Sequence, residues 1–262
     1  MHKMIKALVL TACFTALQTG LARAELKIGF AAEPFPPFSS KDAAGKWVGW
    51  EVEAIEAVCK AMKEKCDYVE VAWDGIIPAL QARMIDVIWS AMVINPKRRE
   101  VIDFSMSYYR TTLFIIGPKN GDLDVSPKRL AGKTIGVQGG TVSSKYAEEK
   151  YRPAGVEIKT YGTQDEVNQD IGSGRIDYAI GSAAVMTGFV KSEAGLACCE
   201  YKTNVDDPSV VGEGIGAGIR KGEKDLKAKL DAAIKEVAKS GEFDRITGNY
   251  PELKDVIATP KP

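Results

Sequence analysis

The chain has 262 residues, 35 basic against 35 acidic, 45% hydrophobic, with five cysteines and a single histidine, His2. Balanced charge and the lack of a basic patch interleaved with aromatics argue against nucleic acid as a partner. Because His2 falls in an N-terminal leader, Ser-His-Asp and Cys-His catalysis, histidine-ligated metals and imidazole acid–base chemistry are excluded from the mature chain.

That leader covers residues 1–24. Lys3 and Lys6 give a basic start, Ala7 to Leu17 an apolar core, and Ala22-Arg23-Ala24 a small-x-small site, which predicts cleavage after Ala24. The apolar run is too short to span a bilayer and is broken by Gln18, Thr19 and Gly20. Leu10-Thr11-Ala12-Cys13 resembles a lipobox, so a lipid anchor at Cys13 is the alternative. Cleavage removes three bases and no acid, leaving 32 basic and 35 acidic residues, a formal charge of −3. No further long apolar segment follows, so a soluble mature protein of one large domain or two lobes is expected.

Leu26 to Ala32 reads as a buried strand, followed by a proline-stiffened loop, Glu33-Pro34-Phe35-Pro36-Pro37-Phe38. Phe35 on that loop suits stacking against a ligand, or packing into the core; Glu33 suits a cationic group, or solvent. Glu51 to Lys65 is an amphipathic helix with Val52, Ile55, Val58, Cys59 and Met62 on one face. Tyr68 to Ala72 is a short strand ending at Trp73. Ile76, Ile77, Leu80 and Met84 fall at helical spacing behind an Asp74-Gly75 cap. Ile85 to Trp89 reads as a doubly covered strand whose carboxyl end is Ser90. Ligands of open α/β sheets settle beyond such ends, and here Pro96, Lys97, Arg98 and Arg99 follow within a few residues. Arg98 is the candidate anion clamp. Val101 to Phe104 and Thr111 to Gly117 read as strands, the second crossing into another lobe.

A similar rhythm restarts at Lys133, with strands over 134–137, 156–161 and 177–180 and helices over 142–151, 165–173 and 183–190. Gly139-Gly140-Thr141 leads into the first of these helices. It is read either as an anion-binding helix start with the Thr141 hydroxyl contributing, or as a tight turn capped by Thr141. Glu213 to Arg220 offers a return strand, Asp225 to Lys239 an amphipathic helix ended by Gly241, and 243–250 a short helix. The glycines of GEGIGAG at 212–218 lack the βαβ frame of a dinucleotide site and read as strand flexibility.

Cys59 and Cys66, at a helix and its exit, are the favoured disulfide of an oxidising compartment. Adjacent Cys198 and Cys199 form a vicinal disulfide or remain two thiols. Without histidine nearby, a four-ligand zinc site is not expected, and no metal or cofactor is called for.

EPFPPF, GWEVEAIEAVC, WDGIIPALQ, IDVIWSAM, NPKRREVIDFSMSYY, GVQGGT, SGRIDYAIGS and SGEFDRI run in order over nearly the whole mature chain. In them the sequence resembles the polar amino-acid solute-binding proteins of bacterial ABC importers, the extracellular solute-binding proteins of family 3. The resemblance implies a type II periplasmic-binding-protein fold of class α/β, with two lobes that are each a mostly parallel sheet flanked by helices, joined by a two-strand hinge. Lobe one would comprise 25–110 and 214–262, lobe two 111–213, with hinge segments near 109–112 and 211–215. It also implies a monomeric, non-catalytic periplasmic protein that closes on an amino acid or a derivative and delivers it to an inner-membrane permease. The Cys59–Cys66 bridge is implied as well.

By that resemblance Phe35 and Trp73 are pocket walls, Ser90 and Ala91 a turn offering backbone groups, and Arg98 the bidentate partner of a ligand carboxylate. Thr141 and the N–H after it form the second-lobe end of the carboxylate site. Three positions depart from the family pattern: Val93 replaces a usual Ser or Thr, Val142 a frequent hydroxyl, and Ser182 the Asp that receives the ligand's α-ammonium. A buried ammonium without a counter-charge is expensive. Either another acid, Glu33 being nearest to hand, takes the role, or the ligand lacks a free primary ammonium, as an opine-like secondary amine does. Two rival readings share the scaffold: a cyclohexadienyl-dehydratase-like enzyme using Glu33 as its acid, and a binding protein that serves a chemoreceptor or sensor.

Overall fold

The computed structural model describes residues 25–205 and 207–261; the leader, with its cleavage site, His2 and Cys13, lies outside the described residues. Two sheets carry the fold. The first is built from β1 (Leu26–Ala31), buried from Ile28 onward as its unbroken apolar run requires, then α1 (Trp50–Met62) and β4 (Cys66–Val71). Between β1 and α1 a small hairpin, β2 (Ser40–Lys41) and β3 (Trp47–Val48), extends the proline loop. A 3₁₀ turn at Trp73–Gly75 leads into α2 (Ile76–Gln81), and β5 (Val87–Ile88) follows.

The helix expected as far as Met84 stops at Gln81, because Arg83 adopts a left-handed φ of 61°. Met84 is therefore left 60% exposed, off the apolar face to which its spacing assigned it. The strand expected over 101–104 also begins differently. Asn95 accepts the N–H of Arg98 and Pro96 fills the first helical position, so 96–101 form a capped helix, α3 (Pro96–Val101). β6 (Ile102–Thr111) is then a ten-residue strand.

At Thr112 the chain passes into the second sheet, through β7 (Leu113–Pro118), β8 (Thr134–Gln138), α4 (Val142–Lys150) and β9 (Glu157–Tyr161). α5 (Gln164–Gly172), β10 (Tyr178–Ser182), α6 (Ala183–Lys191), α7 (Glu193–Cys198) and β11 (Cys199–Val205) complete it. The chain returns through α8 (Pro208–Val211) to β12 (Ile215–Arg220), then α9 (Lys224–Lys239), α10 (Glu242–Gly248) and β13 (Ile257–Ala258). Strand orders are β13-β6-β12-β5-β1-β4 and β11-β7-β10-β8-β9.

Both sheets are mixed rather than mostly parallel. β1 pairs in parallel with β4 and β5, and β8 with β9 and β10, as helical crossovers dictate. The strands that enter or leave a sheet, β6, β7, β11, β12 and β13, pair antiparallel.

Cys59 and Cys66 are bonded, with Cα atoms 6.3 Å apart, across the end of α1 and the first residue of β4. Cys198 and Cys199 are bonded to each other at the junction of α7 and β11, which resolves the open alternative in favour of the vicinal disulfide.

Candidate functional site

Between the sheets lies a cavity walled by the carboxyl ends of parallel strands from both sides. All ten residues singled out from the sequence line it: Glu33, Phe35, Trp73, Ser90, Ala91, Val93, Arg98, Thr141, Val142 and Ser182. Lining residues with a polar side-chain group that sequence reading passed over are Tyr109, Thr111, Gln138, Ser143 and Gln164. A signal existed for Gln138 and Gln164: each is a buried polar side chain at a strand end or helix start, where strand-end crevices open. Tyr109 gave none, because it reads as core and indeed packs against Phe38 and Trp50. Its hydroxyl is fully buried without a hydrogen-bond partner among the described residues, and burial pushes it well above the ordinary phenol range.

Arg98 is oriented from its own backbone outward. Its N–H caps into the Asn95 side chain at 2.8 Å, and its Nη1 donates to the Val93 carbonyl at 2.9 Å. Nη2 donates to the Gly140 carbonyl of the opposite body at 3.2 Å, and the guanidinium carbon sits 5.5 Å from the centre of the Trp73 ring. Both of these guanidinium hydrogen bonds end on carbonyl oxygens, and among the described residues no carboxylate pairs with it. Burial lowers its pKa to about 10, so it stays charged at neutral pH. A desolvated cation without a counter-charge is an anion site, and the planar fork matches a carboxylate.

Glu33 lines the same cavity, but both of its oxygens accept the Trp73 N–H, at 3.2 and 3.1 Å. It thus ties the proline loop to the 3₁₀ turn that presents Trp73. Phe35 is half-buried, stacked on Phe38 with ring centres 5.9 Å apart, so it joins core to cavity wall.

The Ser90-Ala91 turn is more committed than its sequence suggests. Ser90 Oγ accepts the Ala31 N–H at 3.0 Å, and the Ala91 N–H donates to Glu51 at 2.9 and 3.0 Å. With the Ala91 N–H taken, the Ser90 carbonyl on the same peptide is the acceptor this turn can offer. Glu51, counted on the charged face of its helix from spacing, is in fact fully buried.

On the second body the Thr141 hydroxyl is committed to the start of α4. It donates to the Gln138 carbonyl at 2.7 Å, contacts Ser143 Oγ at 2.8 Å and accepts the Ser144 N–H at 3.2 Å. One donor and two acceptor lone pairs are thereby used, so Thr141 serves as the cap of α4 and has no hydroxyl left for a ligand. What α4 still presents is its first-turn N–H groups. Gly140 lets this corner approach: its φ is +67°, and a Cβ there would sit 3.1 Å from Trp73 Nε1 and from Asp74 Oδ1. Ser182 begins α6 without using its side chain as a cap, so its hydroxyl is free to face the cavity.

The family model for bacterial extracellular solute-binding proteins, family 3, matches residues 26–252. The chain is 36% identical over 236 residues to the L-arginine-binding protein of Pseudomonas aeruginosa, covering 90% of this chain and 91% of that one. It is 35% identical over 217 residues to the lysine/arginine/ornithine-binding periplasmic protein of Escherichia coli, covering 82% and 84%. Among solved structures, an ancestral arginine-binding protein bound to arginine superposes with a TM-score of 0.78 at 33% identity, covering 87% of this chain and 98% of the other. The fold, the cavity between two sheets and these likenesses together show that the chain belongs to the bacterial extracellular solute-binding proteins of family 3.

Proposed function

We propose that this protein is the periplasmic solute-binding component of an ABC importer, a monomer that captures a carboxylate-bearing amino acid or amino-acid derivative and presents it to an inner-membrane permease. The observation that carries this reading is Arg98: a half-buried guanidinium between two bodies, whose hydrogen bonds end on carbonyls and which no carboxylate meets among the described residues. A ligand carboxylate supplies the missing charge. Export follows from the leader, cut after Ala24, and the lobes run over 25–110 with 214–262, and over 111–213.

The ligand class is narrowed by Ser182. The only charged side chains lining the cavity, among the described residues, are Arg98 and Glu33. A ligand whose amine is secondary and sits between two acid arms, as in an opine, presents fewer N–H donors than a primary ammonium and suits a hydroxyl at this position. The relatives named above bind free amino acids by their names; the serine is the reason for choosing a derivative here.

The mechanism is binding and closure. Arg98 and the Trp73 and Phe35 rings offer the first contacts, α4 and Ser182 complete the enclosure, and the passages at 109–112 and 211–215 absorb the backbone change. Mass spectrometry of small molecules released from the purified protein tests the reading, followed by calorimetric titration with the twenty amino acids and a panel of opines. An opine-like compound binding more tightly than any standard amino acid is the expected result. Tight binding of a standard amino acid removes the derivative; failure of every carboxylate removes the function.

A further inference from the structure

Behind the cavity wall stands a carboxyl group that does not line it. Glu51 is fully buried near the start of α1, and both of its carboxylate oxygens accept the N–H of Ala91. The Tyr108 hydroxyl donates to the same carboxylate. The main-chain carbonyl of Glu51 accepts indole Nε1 of Trp89 at 3.0 Å, and that indole stacks on Tyr108 with ring centres 3.8 Å apart. One glutamate therefore grips the strand exit at residues 89 and 91 together.

Ala91 needs such a grip. Its φ of +49° is left-handed, a conformation that costs a residue with a Cβ about 1–2 kcal/mol. It persists only where the surroundings over-determine it. The hydrogen bond to Glu51 also polarises the Ser90–Ala91 peptide, making the carbonyl oxygen on its far end a stronger acceptor. A turn that offers acceptors, backed by a carboxylate, is complementary to a cationic N–H donor.

Resting on the ligand reading above, we propose that Glu51 is the positioning residue for the ligand's amine, fixing the Ser90-Ala91 turn and placing behind it the negative charge that Ser182 does not provide. Its action passes through the peptide; it does not touch the ligand.

The groups facing Glu51 are few. From β6 come Tyr108 and Tyr109, both held well above the phenol range by burial and by the carboxylate itself. From the exit of β5 come the Ala91 N–H and the Trp89 indole. On the elements packed against α1, Lys229 of α9 pairs with Glu64 and Arg245 of α10 with Glu242, and on α1 itself Glu53 is met by Tyr250. No cation compensates Glu51 among these, and burial raises its carboxyl to about 7. A bound ammonium favours the ionised form, so ligand binding lowers that value and affinity falls as pH falls.

The test is calorimetric titration of the full mature chain with octopine and with L-arginine, in parallel, between pH 8 and pH 5, a window in which neither probe's amine or carboxylates change protonation. If binding moves the Glu51 carboxyl by about one unit, affinity drops by about tenfold across that range. Glu51→Gln, whose amide oxygen still accepts the Ala91 N–H, is expected to bind with a flat profile, while Glu33→Gln keeps the step. A flat profile in the wild type, or a step that survives in Glu51→Gln, overturns the proposal. The ¹⁵N–¹H shift of the Ala91 amide, followed without ligand, gives a second readout: it titrates near pH 7 in the wild type only. Should neither probe bind, that amide decides, and its failure to titrate overturns the role of Glu51. A flat profile with binding still abolished by Arg98→Ala leaves the ligand reading intact and removes only this inference.

Discussion

Arg98 donates from Nη2 to the carbonyl of Gly140, 3.2 Å away, so a side chain rooted beside the first sheet closes a hydrogen bond on the second. The same guanidinium is the proposed carboxylate clamp, so binding and closure share one group.

Removing it separates charge from geometry. Arg98→Ala is expected to weaken ligand binding by about 100-fold or more, the scale for deleting one partner of a desolvated charge pair. Arg98→Lys keeps the charge but not the fork, and should recover only a minor part of that loss. Calorimetry on both variants checks this; undiminished binding in Arg98→Ala places the clamp elsewhere.

Ser182→Asp places a carboxylate at the position where the family resemblance implies that a ligand ammonium is received. Relative preference for L-arginine over octopine is expected to rise by about tenfold or more, the value of a charge-assisted hydrogen bond. Competition titration measures the ratio directly, and an unchanged ratio puts Ser182 outside the ligand's reach.

Gly140→Ala tests the corner where the bodies meet. The added methyl meets Trp73 and Asp74 at 3.1 Å and forces a left-handed alanine, so a loss of about 1–2 kcal/mol in stability is expected. Affinity should fall as well, and small-angle scattering at saturating ligand should show a larger radius of gyration than the wild type. Wild-type compaction in the variant would mean that this contact does not limit closure.

Glu51 also sets a dependence of stability on pH. Its carboxyl is raised by burial from 4.5 to about 7, so between those values the folded chain holds a proton that the unfolded chain has released. The contribution is fully present below the unfolded value and is lost as pH rises through about 7. Relative to the wild type, Glu51→Gln should therefore gain about 2–3 kcal/mol on going from about pH 4.5 to pH 8, read from urea unfolding at each pH. Parallel curves for the two proteins would contradict the assignment.

The two disulfides should differ in weight. Cys59–Cys66 closes a loop of sequence separation 7, and its removal as a Cys59→Ser/Cys66→Ser pair is expected to cost about 2–3 kcal/mol. Cys198–Cys199 joins neighbours and constrains little of the unfolded chain, so the corresponding double serine variant should cost clearly less. Urea unfolding of the two variants ranks them.

Much of the site was legible because its residues sit where local signals converge. Arg98 follows an apolar strand by a few positions and Phe35 stands on a stiff loop after a strand's carboxyl end, so position nominated these two, whereas Trp73 as a wall and Ser182 came from the family resemblance. For Thr141 the sequence left open two readings that share one residue pattern, and the three hydrogen bonds of its hydroxyl show the cap. Glu51 was hidden for a different reason. Its spacing places it with the charges of an amphipathic helix, whereas its burial depends on a contact 40 residues along the chain. The strand Cys199–Val205 escaped notice because CEYKTNV is polar, as suits an edge with intermittently buried positions. α3 was missed because Pro96 reads as a breaker until Asn95 is seen capping it.

The position of β12 has a consequence for how the molecule is assembled. Residues 215–220 form a strand inside the first sheet, between β6 and β5, although every strand from 113 to 205 before it belongs to the second. On a chain emerging N-terminus first during synthesis, the second body has all its strands available while the first still lacks an internal one. The half that begins the protein is thus the last to be finished, and a chain truncated before Ile215 is expected to leave the Tyr109 and Ile88 edges open as partners for aggregation.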